Sequence, residues 1–360
     1  MDKIIDIARK FCADKEIVSV SQLNAGHIND TYLVKCEGDY RLVLQKINKN
    51  VFKKPEEVMS NIGKVTDHIR AKLKAAGEDH VNGVLSFLST EEGNLYYKDS
   101  DGEYWRAYVF VDGECFQICE SEDLFSRVGA AFGRFQQQLS DFDASELFES
   151  IKNFHNTESR YRDFETAVAV DVAGRASSVA NEIEFVRSRK EVCSYIVKGI
   201  EDGTFPLRVT HNDTKLNNII MDKVTGNGLC VIDLDTVMPG SMLYDFGDAI
   251  RFGAASAAED ETDLSKVFVR TEMFDAFTTG YISGLEGSAT EDEIRAFPMS
   301  AKIITFEIGI RFLTDYLNGD VYFKTAYSEH NLDRARNQFK LVESIEEKMS
   351  VLNSIVEKYI

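Results

Sequence analysis

The chain has little of what usually marks a boundary, a metal site or a membrane. It holds four prolines in 360 residues, with no Pro-rich linker, repeat or low-complexity tract to divide it. Its six cysteines (Cys12, Cys36, Cys115, Cys119, Cys193, Cys230) are scattered. None forms a Cys-x-x-Cys pair, and no histidine follows Cys115 and Cys119 at zinc-finger spacing, so they read as buried free thiols. No stretch reaches the roughly 18 consecutive apolar residues of a membrane span. Positive charge is also short: 41 Lys and Arg stand against 60 Asp and Glu, for a net charge of -19. A chain that must neutralise nucleic-acid phosphates needs a basic face, so that class of partner is excluded. An anionic membrane surface is disfavoured for the same reason. The opening Met1-Asp2-Lys3-Ile4-Ile5-Asp6 puts acids where a secretory signal carries bases; a cytoplasmic protein is expected.

What is present is an ordinary globular composition, 44% hydrophobic with 11% aromatic residues, in a chain long enough for two domains. Residues 3–12 have the spacing of a short amphipathic helix. Ile17–Gln22, Thr31–Cys36 and Tyr40–Ile47 are β-branched and apolar runs with polar breaks, and predict a meander of strands. Residues 56–76 repeat apolar positions at helical spacing, and strand-like pieces follow at Gly83–Leu88, Leu95–Lys98 and Tyr104–Val111. From about residue 122 helical spacing takes over (Leu124, Val128, Phe132, Phe135), and it returns over 178–200, 298–318 and 332–357. The pattern predicts an α+β protein with two lobes. Residues 1–113 form a small lobe built on an antiparallel sheet, and 114–360 a larger, mainly helical one, joined near Val111-Asp112-Gly113-Glu114.

Between two helical regions lies Leu207-Arg-Val-Thr-His211-Asn212-Asp213-Thr214-Lys215-Leu216-Asn217-Asn218-Ile219-Ile220-Met221. A turn-like Asp222–Gly228 leads on to Leu229-Cys-Val-Ile-Asp233-Leu234-Asp235. Apolar run, Gly/Asn turn and apolar run predict a β-hairpin, which would return Asp233 beside Asn218. Phosphoryl transfer needs such a set. One carboxylate orients the attacking hydroxyl and accepts its proton, and Mg2+ takes one or two hard oxygen ligands from side chains. Asp213 suits the base, Asn218 and Asp233 the metal. The competing reading makes these turn residues or a helix cap. Downstream, Asp245-Phe246-Gly247 spells a kinase metal-binding tripeptide, but it lies 27 residues past Asn218, whereas Asp233 lies 15 past it. Asp245 is expected to cap the helix that follows.

This pattern resembles the aminoglycoside-phosphotransferase and choline-kinase branch of the protein-kinase-like fold, and within it the N-acetylhexosamine 1-kinases, which phosphorylate the anomeric hydroxyl of GlcNAc and GalNAc. The matching stretches are Gly26–Val34, Phe132–Gln136, Leu207–Met221, Val231–Ser241, Asp245–Gly253 and Arg311–Phe323. The resemblance implies ATP and Mg2+ as cofactors, Asp213 as base and Asn218 with Asp233 as metal ligands. It also implies a sugar held near His27 and Arg311, with Tyr322 a further candidate. Each of these has a plainer alternative: a loop residue at His27, an internal pair of Arg311 with Glu307 one turn earlier, and a core aromatic at Tyr322. Residues 1–113 would be the nucleotide-binding lobe and 114–360 the catalytic and sugar-binding lobe. The segment Tyr108-Val-Phe110-Val-Asp112-Gly113 would be the hinge whose backbone binds adenine. The first strands carry only Gly26 in place of a Gly-x-Gly-x-x-Gly loop. On the third strand the register that fits the family puts Gln45 where the phosphate-binding lysine should stand, with Lys46 one residue over, a shift that reverses the face. Lys46 is kept as a candidate ATP contact. A kinase of the same fold for an aminoglycoside, choline or homoserine is the alternative, although the single Trp105 is little with which to cage a quaternary ammonium. A non-catalytic binding module is a further alternative, and an intact Asp213, Asn218 and Asp233 count against it. No anchor like that of a protein-kinase activation segment follows Asp233. The expected partners are a small-molecule substrate and ATP, with the protein a monomer.

Overall fold

A computed structural model describes residues 2–23 and 28–360; His27 lies outside them. Along the chain run α1 (Asp2–Arg9), β1 (Ile17–Leu23), β2 (Asp30–Cys36), β3 (Arg41–Ile47), α2 (Pro55–Ala76), β4 (Tyr97–Lys98), β5 (Tyr104–Val109), α3 (Glu122–Gln138), α4 (Thr157–Val170), α5 (Ala180–Arg187), α6 (Tyr195–Glu201), β6 (Arg208–Thr210), β7 (Ile219–Met221), β8 (Gly228–Val231), α7 (Met242–Gly253), α8 (Thr271–Leu285), α9 (Glu291–Leu317) and α10 (His330–Val356). Two compact units form. The first comprises Met1–Cys115, Asp141–Lys152 and Asn218–Pro239, the second Phe116–Ser140, Asn153–Asn217 and Gly240–Ile360. The units interleave along the chain, so the β7–β8 hairpin packs with the first. Among the described residues no helix is long and apolar enough to cross a membrane.

The first unit is built on an antiparallel sheet ordered β1-β2-β3-β5-β4. Strand alternation puts Val34, Cys36, Leu42, Leu44, Trp105 and Ala107 on one face, where Ile7, Ala8 and Phe11 cover them. The opposite face carries Thr31, Gln45 and Arg106, cross-strand neighbours in the ladder. The run 83–88 is not a strand: it meets β5 through the single bridge of Phe87 with Tyr108. The reason is competition for one edge. β4 already pairs with Tyr104 and Trp105, which leaves 83–88 only the far end, where Leu88 N–H donates to the Ala107 carbonyl at 2.8 Å.

The second unit is helical. α3 and α8 pack so closely that a Cβ on Gly280 would lie 1.8 Å from the Ser126 carbonyl oxygen, so only glycine fits there. Phe246 of α7 stacks on Phe297 of α9, with ring centroids 4.0 Å apart, inside a cluster with Phe274, Phe277 and Tyr281. The 178–200 pattern is broken into α5 and α6 rather than continuous. Arg189 leaves helical geometry between them (φ -112°) and makes a forked ion pair with Glu346 of α10, at 3.0 and 2.8 Å. The pull of a bidentate partner outside the helix is invisible to periodicity.

Two buried charges fix β6 and the loop that leaves it. Arg208 on β6 forks onto Glu293 of α9 at 2.6 and 2.7 Å, and Glu293 is itself locked in a capping box with Thr290. Asp245 is the second. It does not cap α7, because Ser241 does, accepting from Leu243 N–H at 3.3 Å. One turn into the helix and 2% exposed, Asp245 instead accepts the backbone N–H of His211 (2.9 Å) and Asn212 (2.7 Å) and the Gln136 side-chain amide (2.9 Å). Burial pushes its carboxyl above the ordinary carboxylate range, and the charge of His211 and the two backbone donors pull the other way. In Asp245→Asn an amide –NH2 must face at least one of these donors. The expected cost is about 1–3 kcal/mol for each group left unsatisfied, read as a lower denaturation midpoint with faster hydrogen exchange at the His211 and Asn212 amides. Unchanged exchange at both would refute the anchoring role.

Candidate active site

The loop after β6 is held on both sides of Asp213. Asn212 takes a left-handed conformation (φ 65°), one that Asn tolerates better than most residues. The Asp213 N–H donates to His211 Nδ1 at 3.3 Å. The fully buried His211 ring meets Phe132 and Phe135 edge-on, at 5.8 and 5.9 Å. Beyond Asp213, Thr214 N–H donates to Asp248 Oδ2 (3.1 Å) and its hydroxyl to the Asp245 carbonyl (2.6 Å). The backbone is thereby fixed while the Asp213 side chain keeps a quarter of its surface exposed, with Lys215 Nζ 2.7 Å from Oδ1. Burial works against the Lys215 charge, but Asp213 and Asp248 outweigh it and hold the ammonium above its usual range. Such a loop offers a positioned carboxylate able to accept a proton, with a cation beside it.

In the first unit, β7 and β8 pair as the spacing predicts, with Ile219 opposite Val231 and Ile220 opposite Cys230. Ile232 N–H donates to the Asn218 carbonyl at 2.9 Å, so the hairpin brings the chain leading into Asp233 back beside Asn218. Asn218 is buried and Asp233 exposed, the latter in a left-handed conformation (φ 58°, ψ 54°) that opens a short helical turn, Leu234–Thr236. Both offer hard oxygen. Among the described residues no cluster of three or more His, Cys, Asp or Glu side chains is placed to hold a metal. A set of one amide and one carboxylate fits Mg2+, which keeps most of its ligands as water and phosphate oxygens.

Other expected residues fall as follows. Tyr108 shares the Arg106 face of the sheet, and burial pushes its phenol well up. Phe110 lies under the Arg41 guanidinium at 4.4 Å, and exposed Asp112 pairs with Lys223 at 2.8 Å. In the hinge segment, Val109 N–H and Phe110 N–H are taken by the Ser86 and Arg41 carbonyls. Lys46 is not on the face of Arg106: it stands opposite Trp105 and pairs with Asp30 at 2.9 Å. That pairing raises its pKa. Period-two alternation is the cause, since Gln45 takes the other face.

In the second unit the alternative reading of Arg311, a pair with Glu307, gives way to other partners. Fully buried Glu307 is taken by His155 Nδ1 at 2.8 Å and the Thr157 hydroxyl at 2.6 Å. Its carboxyl is held low: burial opposes this, and His155, the Arg311 charge and the Thr157 hydroxyl together outweigh it. His155 Nε2 lies 3.5 Å from the Asn212 carbonyl, one residue before Asp213. Arg311 has its guanidinium 5.6, 5.9 and 5.7 Å from the ring centres of Phe154, Tyr322 and Phe323. Tyr322 is no core aromatic, being 68% exposed. Its loop is set by Asp315, which accepts the N–H groups of Val321, Tyr322 and Phe323 at 3.0, 2.8 and 2.9 Å. Of the residues that sequence reasoning passed over, Lys215 had a signal in its spacing from Asp213. The parts played by His155, Asp248 and Asp235 need tertiary register to see.

The sequence pattern of the APH phosphotransferase enzyme family matches residues 19–273. Solved structures similar to the chain include an aminoglycoside phosphotransferase from Alicyclobacillus acidocaldarius subsp. acidocaldarius, at 12% identity over 96% of this chain and 95% of that one, with a TM-score of 0.59. Amicoumacin kinase in complex with AMP-PNP, Ca2+ and Ami is 14% identical over 96% and 93%, with a TM-score of 0.61. The microcompartment-associated aminopropanol kinase is 17% identical over 97% and 98%, with a TM-score of 0.57. These likenesses establish a protein-kinase-like fold with an antiparallel-sheet N-lobe and a larger helical C-lobe. The family match covers well over half of the sequence, and the chain belongs to the APH phosphotransferase enzyme family.

Proposed function

We propose that the chain is a sugar kinase that transfers the γ-phosphate of ATP to the anomeric hydroxyl of an N-acetylhexosamine, GlcNAc or GalNAc, with Mg2+ as cofactor. Residues 1–113 supply the nucleotide-binding lobe and 114–360 the catalytic and sugar-binding lobe. Asp213 orients the hydroxyl and takes its proton. An anomeric hydroxyl is more acidic than an ordinary alcohol, so a carboxylate is an adequate base for it. Asn218 and Asp233 would hold Mg2+, which when bound neutralises charge on the nucleotide phosphates. Tyr108, Phe110 and Asp112 belong to the segment proposed to meet adenine, and His27 remains a candidate sugar contact by sequence alone. The aminoglycoside phosphotransferase, amicoumacin kinase and aminopropanol kinase structures belong to proteins whose names describe phosphorylation of small molecules, which supports the transfer reaction.

The observation that carries the sugar reading is the setting of Arg311. Its donors stand among three aromatic rings, which suits a neutral acceptor with hydroxyls and an apolar sugar face. Arg160 lies close enough to feel its charge: burial and then Arg311 hold the Arg160 pKa down. Two arginines in mutual repulsion would oppose an acceptor bearing several ammonium groups. A coupled ATP-consumption screen over N-acetylhexosamines, plain hexoses, aminoglycosides, choline and homoserine tests this, with the phosphorylated position read by 31P NMR. GlcNAc or GalNAc turnover at C1 is expected; exclusive turnover of a cationic acceptor would overturn the sugar assignment. Arg311→Ala should raise the sugar KM roughly ten- to a hundredfold, the loss of a charge-assisted hydrogen bond, and leave the ATP KM nearly unmoved. The opposite split would remove Arg311 from the sugar site.

A further inference from the structure

We infer that Arg106, presented by Asp235 and Gln45, is the cation of the nucleotide phosphate site and stands in for the β3 lysine that the chain lacks. The inference rests on the phosphotransferase reading. On β3 the position facing Arg106 is Gln45, which carries no charge, and Lys46 points to the other face, where Asp30 binds it. Gln45 and Arg106 are direct partners in the β3–β5 ladder, and Arg106 Nε donates to Gln45 Oε1 at 3.0 Å. The amide cannot flip without loss, because Gln45 Nε2 donates to the Thr31 hydroxyl at 3.1 Å. Cross-strand register thus transfers a positive charge from β3 to the adjacent strand on the same face.

Arg106 Nη1 is ion-paired and hydrogen-bonded to Asp235 Oδ1, and the two side chains are 3% and 4% exposed. The second oxygen of Asp235 accepts from Asn29 Nδ2 at 2.6 Å, and Asn29 Oδ1 accepts the Asn48 N–H at 3.0 Å. One carboxylate therefore ties together the start of β2, the residue after β3, the side chain from β5 and the turn that begins at Asp233. Asp235 is two residues past Asp233, and the Arg106 charge lies within electrostatic reach of the Asp233 carboxylate. A lone buried guanidinium would be costly, and a hydrogen-bonded carboxylate partner offsets much of that cost. The described contacts of Arg106 engage Nε and Nη1, and the remaining fork nitrogen, Nη2, is suited in geometry to a phosphate oxygen. Of the other cations on this sheet face, Lys98 stands opposite Tyr104 with its ammonium 5.0 Å from that ring's centre, and Lys35 and Arg41 oppose each other at the far end of the ladder from Gln45. Arg41 lies over Phe110 instead, with Asp112 4.0 Å away.

Titration calorimetry with adenosine, ADP and AMP-PNP, in EDTA so that no divalent metal contributes, separates a phosphate contact from a structural one. Arg106→Met alone strands Asp235, so the double variant R106M/D235N is used beside R106K, with thermal melts to show that each is folded. The expected result is unchanged adenosine affinity in both variants, with the AMP-PNP to adenosine affinity ratio falling at least tenfold in the double variant and less in R106K. An unchanged ratio, or an equal loss for all three ligands, overturns the proposal. Failure of the wild-type protein to bind ADP or AMP-PNP would overturn the phosphotransferase reading along with it.

Discussion

The loop that carries Asp213 depends on a carboxylate buried beneath it. Asp245 sits inside α7 where no solvent reaches, and the groups it accepts include two consecutive backbone N–H groups just before Asp213. Just past those two amides Asn212 takes a left-handed conformation, and the chain turns there into Asp213. That turn leaves the Asp213 carboxylate partly exposed while its backbone is fixed. α7 is in turn held by the Phe246–Phe297 stack against α9. The aromatic core of the second unit thus reaches the Asp213 loop through one helix.

A similar arrangement recurs in the first unit. Asp235 is buried and hydrogen-bonded on both oxygens, and it fixes the turn that carries Asp233. In each case the carboxylate proposed for chemistry stands on backbone that a buried carboxylate fixes. His155 adds a third layer under the loop. It is bonded to Glu307 of α9 and approaches the Asn212 carbonyl, so this buried pair supports the same turn from another side.

Much of this was legible in the sequence because it is local. The β7–β8 hairpin follows from two apolar runs and a Gly/Asn turn, and the β1–β3 meander and the helices at Pro55–Ala76 and His330–Val356 follow from periodicity. Elements shaped by partners distant in the chain were not legible. The break at Arg189 depends on Glu346, and the fate of 83–88 depends on which strand occupies the β5 edge. Asp245 looked like a cap because capping is a local habit of Asp, yet Ser241 was available and the carboxylate serves a loop 33 residues earlier. Arg106 carried no sequence signal of its own: its meaning appears only once β3 and β5 are in register. Gln45, by contrast, was visible as a departure from the expected lysine, and the face assigned to Lys46 follows from strand alternation.

The base role proposed for Asp213 is tested most directly on Asp213 itself. Its amide analogue keeps shape and backbone contacts but cannot accept a proton. Nucleotide affinity by calorimetry and steady-state turnover, measured on the same Asp213→Asn preparation, should part company. AMP-PNP should bind within about a factor of two of wild type while kcat falls roughly 10²–10⁴-fold, the usual worth of a positioned base. Turnover near the wild-type rate with normal nucleotide binding would contradict the assignment of Asp213 as the base.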